Sequence, residues 1–248
     1  MRHAAPLSAA LAALRALLAA ASGAQVVELP APGAAPWRAA ALRGVERETS
    51  YARVEVGGAP ALRAESRCAA SALVLPADEI DLVRTPVLSW RWRVERGPEV
   101  ADEQSRAGDD FAARVYATFR LERERSPLVE RLWHRLAEAF YGEEIPGSAL
   151  NWVWTRRLDP GRRWESPYTA SARLVALRRG ARGDWQTERV HVLRAYREAF
   201  GRDPPPLRGI ALMSDADNSC QEAVAFYADF RLLGEAEAAA EGPLSPTP

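Results

Sequence analysis

The sequence predicts a mainly β protein, built as an antiparallel β-sandwich or jelly roll with one or two short helices. Two segments carry this prediction, Val87–Glu95 and Phe111–Leu121, because every second side chain along most of each is apolar. Side chains alternate across a strand, so a period of two marks a strand with one buried and one solvated face, as is typical of antiparallel sheets. Other short strands are separated by turn residues rather than by helices, which disfavours a parallel α/β sheet.

Weaker patterns predict the remaining elements. Further strands are expected at Tyr51–Val56, Ser66–Leu75, Leu150–Thr155, Ser171–Leu177, Leu207–Met213 and Val224–Leu233. Apolar residues at every fourth position predict an amphipathic helix over 127–141. A second, short helix is expected over Val190–Phe200, where Gly201 can end it.

The N-terminus has the pattern of a signal peptide. Arg2 and His3 precede an apolar run over residues 4–21, and small residues follow it up to Ala24. A helical arm rich in alanine is the alternative. The four predicted segments are a signal peptide over 1–24, a linker over 25–36, a single β-sandwich domain over 37–233 and a disordered tail over 234–248. We therefore expect a periplasmic or secreted protein with no transmembrane segment after cleavage.

The composition narrows the classes of function. Basic and acidic residues number 33 each, and this lack of a basic excess argues against a nucleic-acid partner. The sequence motifs of a P-loop, a nucleophile elbow and a dinucleotide-binding turn do not occur. In an oxidising compartment Cys68 and Cys220 could form a disulfide, but two buried free thiols fit the sequence equally well.

Five motifs follow one another in a fairly specific order. They are Leu88–Val94, Gly108–Tyr116, Trp185 with Glu188–Val190, Phe200–Gly201 and Ile210–Asn218. Together they resemble a bacterial exported family called domain of unknown function 3047. The resemblance spans residues 37–233 and implies an exported protein with a galactose-binding-like sandwich, but no activity, because none is assigned to that family. Two segments depart from the family's pattern: 127–141 looks like an insertion, and His191–Arg194 lacks the acidic residue expected before Tyr196.

The polar faces of the two best-predicted strands supply a candidate ligand site. It consists of Arg91, Arg93, Asp109, Asp110, Arg114 and Tyr116. If the two strands are neighbours, these groups converge. Arginines with carboxylates and a tyrosine can then hold a sugar, a uronate or another anion through bidentate hydrogen bonds. The alternative is a cross-strand ladder of salt bridges on a solvated face.

A candidate Ca²⁺ site follows the strand predicted at Leu207–Met213. Asp215, Asp217 and Asn218 place three oxygen-bearing side chains in four positions, and Asp229 lies in the last strand. The glycine and the distal glutamate of an EF-hand loop are missing. The alternative is a tight turn, in which Asp and Asn side chains bond their own backbone.

Three functions fit these features. The leading hypothesis is an exported binding module for a carbohydrate or related anionic ligand. One alternative is a polysaccharide-active enzyme, a glycosidase or lyase, which needs a groove with an acid–base pair of shifted pKa. The other is a non-catalytic structural or assembly protein of the envelope, which would expose an apolar patch. We expect four tryptophans to pack in the core rather than to stack on sugar, because they lie on apolar strand faces: Trp90, Trp92, Trp152 and Trp154.

Overall fold

The computed structural model describes residues 25–42, 44–121, 147–180 and 183–246, and in these ranges the predicted mainly β fold is confirmed. The strands are β1 (Val26–Glu28), β2 (Arg38–Ala41), β3 (Ser50–Val56), β4 (Ala59–Arg67), β5 (Ala70–Pro76), β6 (Val87–Arg96), β7 (Ala113–Phe119), β8 (Ser148–Thr155), β9 (Arg163–Glu165), β10 (Ala172–Arg179), β11 (Gln186–His191), β12 (Leu207–Asp215) and β13 (Glu222–Leu233). The helices are a 3-10 turn (Arg106–Gly108), α1 (Val192–Phe200) and α2 (Glu235–Glu241). The predicted signal peptide and the helix predicted over 127–141 lie outside the described residues.

The strands form two sheets that pack face to face. The first sheet has the order β11-β6-β13-β4-β3, and β1 lies beside the C-terminal end of β13. The second sheet has the order β2-β5-β12-β7-β8-β10-β9. Neighbouring strands are antiparallel throughout the described ranges except β8 and β10, which are parallel. The predicted sandwich is therefore confirmed, with one parallel pair that the sequence did not indicate.

The core lies between the sheets, where the apolar faces of alternating strands meet. Trp90 and Trp92 of β6 and Trp152 of β8 are fully buried there, and Trp154 is 3 % exposed. Ring centroids are 5.9 Å apart for Trp90 and Trp152 and 5.6 Å apart for Trp92 and Trp154. Aromatic pairs at such distances contribute stability beyond their buried area. The prediction that these tryptophans belong to the core is confirmed.

The strand predicted over Ser66–Leu75 is two strands in the structure. β4 ends at Arg67 and β5 begins at Ala70 in the other sheet, and Cys68 takes a φ of 49° in the turn between them. This turn contains no glycine or proline, so the pattern alone indicated a continuous strand.

A disulfide joins Cys68 to Cys220, which decides the question that the composition left open. It ties the β4–β5 turn to the loop between β12 and β13, across a sequence separation of 152 residues. Both cysteines have positive φ, 49° and 52°, in a region that L-residues rarely adopt.

Both predicted boundaries of the domain need correction. Within the linker predicted over 25–36, β1 pairs with β13. Within the tail predicted as disordered over 234–248, α2 buries Ala238, and the Ser245 hydroxyl donates to the buried Glu188 carboxylate at 2.5 Å. Composition alone suggested disorder, but these segments gain order from partners in the sandwich.

The short helix predicted over Val190–Phe200 is confirmed as α1, which begins two residues later. The His191 side chain caps it by accepting a hydrogen bond from the Arg194 N–H at 3.2 Å, and Gly201 ends it with a φ of 68°. None of the helices in the described ranges has the length and hydropathy that crossing a bilayer requires.

Candidate functional site

The residues predicted to form one ligand site lie on opposite sides of the sandwich. Arg91 and Arg93 are on β6 in the first sheet, whereas Arg114 and Tyr116 are on β7 in the second. The expectation that these strands are neighbours is wrong, since β6 pairs with β11 and β13, and β7 pairs with β8 and β12. Alternation shows which face of a strand is buried, but it does not show which strand lies beside it.

On the first sheet, Arg91 and Arg93 belong to a layer of paired charges and aromatic rings. Arg91 Nε lies 3.1 Å from Asp229 Oδ2, and the guanidinium is 4.9 Å from the Trp185 ring. The Arg93 guanidinium lies 4.5 Å from the Phe226 ring. Exposed ion pairs of this kind contribute little stability. This half of the predicted site has the geometry of the salt-bridge ladder given above as the alternative.

Asp229 does not lie with Asp215 and Asp217, so its assignment to the metal site is wrong. It sits where the register of β13 shifts against β6, with a φ of 55°. The bulge directs its half-exposed side chain to Arg91 in the first sheet, whereas Asp215 ends β12 in the second sheet.

On the second sheet, Arg114 forms a buried bidentate ion pair with Asp215. Nε donates to Oδ1 at 2.8 Å and Nη2 donates to Oδ2 at 2.6 Å. Asp109 Oδ2 lies 3.2 Å from Nη2, and Nη1 donates to the Tyr116 hydroxyl at 3.4 Å. Arg114 is only 3 % exposed, so its donors serve this network rather than an external ligand.

Asp110 holds the loop that follows β12. Its Oδ1 accepts the Asn218 backbone N–H at 3.1 Å and Asn218 Nδ2 at 3.2 Å, and its Oδ2 accepts the Ser219 N–H at 2.6 Å. Tyr168 donates its hydroxyl to Asn218 Oδ1 at 3.1 Å. Asp110 therefore ties the segment before β7 to the loop after β12, which is a long-range contact and not the local turn chemistry considered as the alternative to a metal site.

Three carboxylates are buried in this region, and two of them, Asp109 and Asp215, contact the buried guanidinium of Arg114. Asp109, Asp110 and Asp215 are each at most 6 % exposed. Burial raises the pKa of Asp215 to about 8, although Arg114 acts in the opposite direction. Burial also raises the pKa of Asp109, again against the effect of Arg114. The cause is the lost hydration of anions that a single cation cannot compensate.

The same region contains a group that could hold a cation. Asp110, Asp215 and Asp217 each offer a carboxylate oxygen, and these oxygens lie within 4.8 Å of one another. Carboxylate oxygens are the ligands that Ca²⁺ prefers, and Asp110 takes the position predicted for Asp229. Asn218 instead turns its Nδ2 donor toward Asp110. Ca²⁺ binding here stays a prediction.

A cleft of about 400 Å³ opens at the edge of the sandwich where β2 and β3 are the outermost strands of their sheets. We call it the edge cleft. Its lining residues are Gly33, Ala39, Glu48, Thr49, Tyr51, Arg53, Leu62, Ser71 and Leu73. Leu62 and Leu73 are buried core residues and form an apolar floor. Sites for small molecules typically occupy about 300–1,000 Å³ and combine apolar walls with a few polar groups.

Polar groups line the edge cleft above this floor. The Tyr51 hydroxyl donates to the Ser71 carbonyl at 2.5 Å, which ties the first sheet to the second. Arg53 and Glu48 are exposed. Within the described part of the chain, neither side chain has a hydrogen bond or ion pair. A guanidinium and a carboxylate thus remain available to a ligand at the mouth of the cleft.

A smaller recess, lined in part by Asp110, has a much smaller volume than the edge cleft. Its volume is about 20 Å³, enough for about one water molecule. Glu103 at its wall accepts backbone N–H bonds from Arg157 at 3.0 Å and Leu158 at 3.2 Å, so this carboxylate fixes a loop. The edge cleft is the better candidate for a ligand.

No prediction from the sequence included the edge cleft. Its lining comes from two loops and from four consecutive strands, β2 to β5, which are divided between the two sheets. One indication was available: Tyr51 and Arg53 share a face of the strand predicted at Tyr51–Val56, and an aromatic ring beside an arginine is common in ligand sites. The pattern could not show that this face borders a gap between sheets.

The comparisons with known proteins give a family and distant structural neighbours. The sequence profile described as "Protein of unknown function (DUF3047)" matches residues 35–231. No curated protein matches the chain.

The structural neighbours include carbohydrate-binding modules of Clostridium thermocellum. The family 30 module of the cellulosomal cellulase Cel9D-Cel44B has 13 % identity and a TM-score of 0.44, over 85 % of this chain and 98 % of that one. The family 11 module of Lic26A-Cel5E has 10 % identity and a TM-score of 0.42, over 86 % of this chain and 95 % of that one. A family 11 module from the same organism, in complex with a β-1,3-1,4-mixed-linked tetrasaccharide, has 10 % identity and a TM-score of 0.41, over 86 % of this chain and 98 % of that one.

Proposed function

The chain belongs to the family described as Protein of unknown function (DUF3047), and we propose that it is an exported, non-catalytic binding module for a carbohydrate or related anionic ligand. The ligand occupies the edge cleft. The predicted arginine cluster does not contact it, because Arg114 is buried in an ion-pair network and Arg91 and Arg93 are on the other sheet.

The observation that carries this proposal is the combination of shape and chemistry in the edge cleft. Leu73, which is 7 % exposed, presents apolar surface to a ligand at the base of the cleft, and Leu62 lies buried beneath the cleft. Arg53 offers donors and Glu48 offers acceptors to the hydroxyl groups at the ring's edge. A concave site with an apolar floor and a few polar groups is the usual form of a small-ligand site.

The positions of the carboxylates favour a binding function over a hydrolytic one. A glycosidase needs two carboxyl groups that face each other across the substrate. Among the described residues that line the edge cleft, Glu48 is the one carboxylate. The carboxylates of raised pKa are Asp109, Asp215 and Asp217, and none of these three lines the edge cleft.

Export is part of the proposal and is supported by two features. The N-terminal sequence has the pattern of a signal peptide, and Cys68 and Cys220 form a disulfide. Disulfides persist in oxidising compartments such as the periplasm or the extracellular space. Fractionation of cells that express the full chain tests this, and retention of an uncleaved chain in the cytoplasm would contradict it.

The binding proposal is tested by calorimetric titration of the purified chain with a panel of soluble saccharides and uronates. We expect at least one to bind, and Arg53→Gln and Glu48→Gln each to weaken it about tenfold, since a hydrogen bond to a charged group contributes about 1.5–3 kcal/mol. Arg63→Gln is the matched control, because Arg63 lies on the neighbouring strand and pairs with Glu65. Absence of binding across the panel, or equal binding by all variants, would overturn the proposal.

A further inference from the structure

We propose that Gln25 is a modification site: once the leader is removed, its new α-amino group attacks its own side-chain amide and closes a pyroglutamate ring. This inference rests on the export that forms part of the proposed function, and it specifies a covalent change at the mature N-terminus. It follows from the residues at the cleavage point, from the hydrogen bonds around Gln25 and from the chemistry of a terminal glutamine.

The pattern of small residues makes Gln25 the terminal residue of the mature chain. Ser22 and Ala24 stand three positions and one position before the cut, where a leader peptidase requires small side chains. Cleavage after Ala24 turns the backbone nitrogen of Gln25 into an α-amino group. Such a group is a weaker base than a lysine amine, so part of it is uncharged and nucleophilic at neutral pH.

The sandwich holds Gln25 by its carbonyl group. The Gly234 N–H donates to the Gln25 carbonyl at 2.7 Å, and β1 begins at the next residue, Val26, which pairs with Leu233. A Cβ added to Gly234 would lie 3.2 Å from Gln25 Cβ, so the base of the glutamine side chain packs against this glycine. The residue therefore stays in place through atoms that ring closure does not alter.

The two groups that react with each other are free of other interactions. In an antiparallel ladder, residues paired like Gln25 and Gly234 usually exchange two hydrogen bonds. Within the described ranges, the Gln25 N–H makes no such bond, and the side-chain amide of Gln25 makes none either. Gln25 is half-buried and Val26 is 41 % exposed, so solvent reaches this end of β1. Cyclisation thus breaks no contact of the folded chain.

The reaction balances with the atoms of Gln25 alone. The α-nitrogen forms a bond to Cδ of the side-chain amide, and the bond between Cδ and Nε2 breaks. Nε2 leaves as ammonia after taking a proton from the α-amino group, so no oxidant, reductant or second substrate is needed. The product is a five-membered lactam that has lost the positive charge of the terminus. The backbone carbonyl lies outside the ring, so the hydrogen bond from Gly234 and the pairing of β1 are kept.

The test is the intact mass of the exported protein after expression of the full chain in a Gram-negative host. The periplasmic fraction is extracted directly into acid, so that rings do not close after extraction. We expect the predominant species to have the mass of residues 25–248 with one disulfide, less one ammonia, and to resist N-terminal sequencing. A predominant species that begins at Gln25 and keeps the ammonia, or that begins at another residue, would overturn this inference and leave export intact. A chain that keeps its leader would overturn both.

Gln25→Asn is the matched control, because it keeps a side-chain amide but would need a strained four-membered ring. We expect this variant to be cleaved after Ala24, to keep the ammonia and to be readable by N-terminal sequencing. Loss of one ammonia from the variant as well would show that the reaction occurs elsewhere in the chain, and would contradict the assignment to Gln25. Gln25 does not line the edge cleft, so saccharide binding should be equal in both proteins and is judged separately.

Discussion

Arg114 shows how one residue can look like a ligand contact in sequence and serve the fold in the structure. Its position on the outer side of β7 suggested a solvated face. Instead, Asp215 at the end of β12 and Asp109 before β7 surround it. A buried arginine with two carboxylate partners makes a strong local network. Removal of one member leaves the others buried without a partner.

The first residue-scale prediction concerns this dependence. At about pH 9, where Asp215 is ionised, Arg114→Met should lower the free energy of unfolding by about 3–5 kcal/mol, because it leaves buried carboxylates without their cation. Arg91→Gln, which removes an exposed ion pair with Asp229, should cost about 0–1 kcal/mol. Urea unfolding of both variants measures the difference. Equal small losses would mean that the Arg114 network contributes no more than a surface pair.

The second residue-scale prediction concerns pH. The pKa of Asp215 is raised to about 8 by burial, and that of Asp109 is also raised. For Asp215, the folded state therefore binds more protons than the unfolded state between its ordinary pKa near 4 and about pH 8, and for Asp109 it does so above its ordinary pKa. Their contribution to stability is present at low pH and is lost as the pH rises through this window.

We therefore expect Asp109→Asn to make the melting temperature fall less steeply as the pH rises above about 4, the ordinary pKa of an aspartate. The variant removes one of the carboxylates with a raised pKa and keeps a side-chain oxygen that can face Arg114. Asp78→Asn is the control, since Asp78 forms an ion pair at the surface with Arg120. A slope that Asp109→Asn leaves as steep as in the wild type would contradict the assignment.

At the scale of elements, strands with clear alternation were predicted best. β6 and β7 appear where the alternation placed them, because period two follows directly from the geometry of a strand with one buried face. The segment Ser66–Leu75 was predicted less well. Its turn contains Cys68 at positive φ rather than a glycine, so no local residue preference marked it.

The disulfide that joins two elements gives a testable prediction. Cys68→Ser with Cys220→Ser should lower the free energy of unfolding by about 3–5 kcal/mol, because the bond closes a long loop in the unfolded chain. Urea unfolding with and without a reductant measures this. The reductant should bring the wild type to the stability of the double variant and leave the variant unchanged. A wild type that is indifferent to complete reduction would contradict the expected contribution.

At the scale of the whole molecule, the distribution of functional groups depends on the order of the strands. β6 and β7 follow one another in sequence but lie in different sheets, so Arg91 and Arg114 point away from each other. β2 and β3 also lie in different sheets, but as edge strands on the same side they enclose the edge cleft. In both cases consecutive strands lie in different sheets. This separates the residues of the predicted ligand site, and it also creates the edge cleft.

The candidate site was predictable only in part for this reason. The proximity of Asp109 and Arg114 follows from a separation of five residues along the chain, and a role for Asp215 and Asp217 was expected from their spacing. The contact of Arg114 with Asp215 spans 101 residues and requires β7 beside β12. No local pattern contains that pairing, and it also brings Asp110 rather than Asp229 to the acidic group.

The sequence by itself determined the class of fold, the buried faces of the main strands and the tryptophans in the core, because these depend on local periodicity and on hydrophobic burial. Its motifs also indicated the family. Only the tertiary structure decided which strands are neighbours, that Cys68 meets Cys220, and that Arg53 and Glu48 flank an open cleft. Those outcomes depend on pairings between distant segments, whose free energy is shared by the whole sandwich rather than encoded in one stretch of chain.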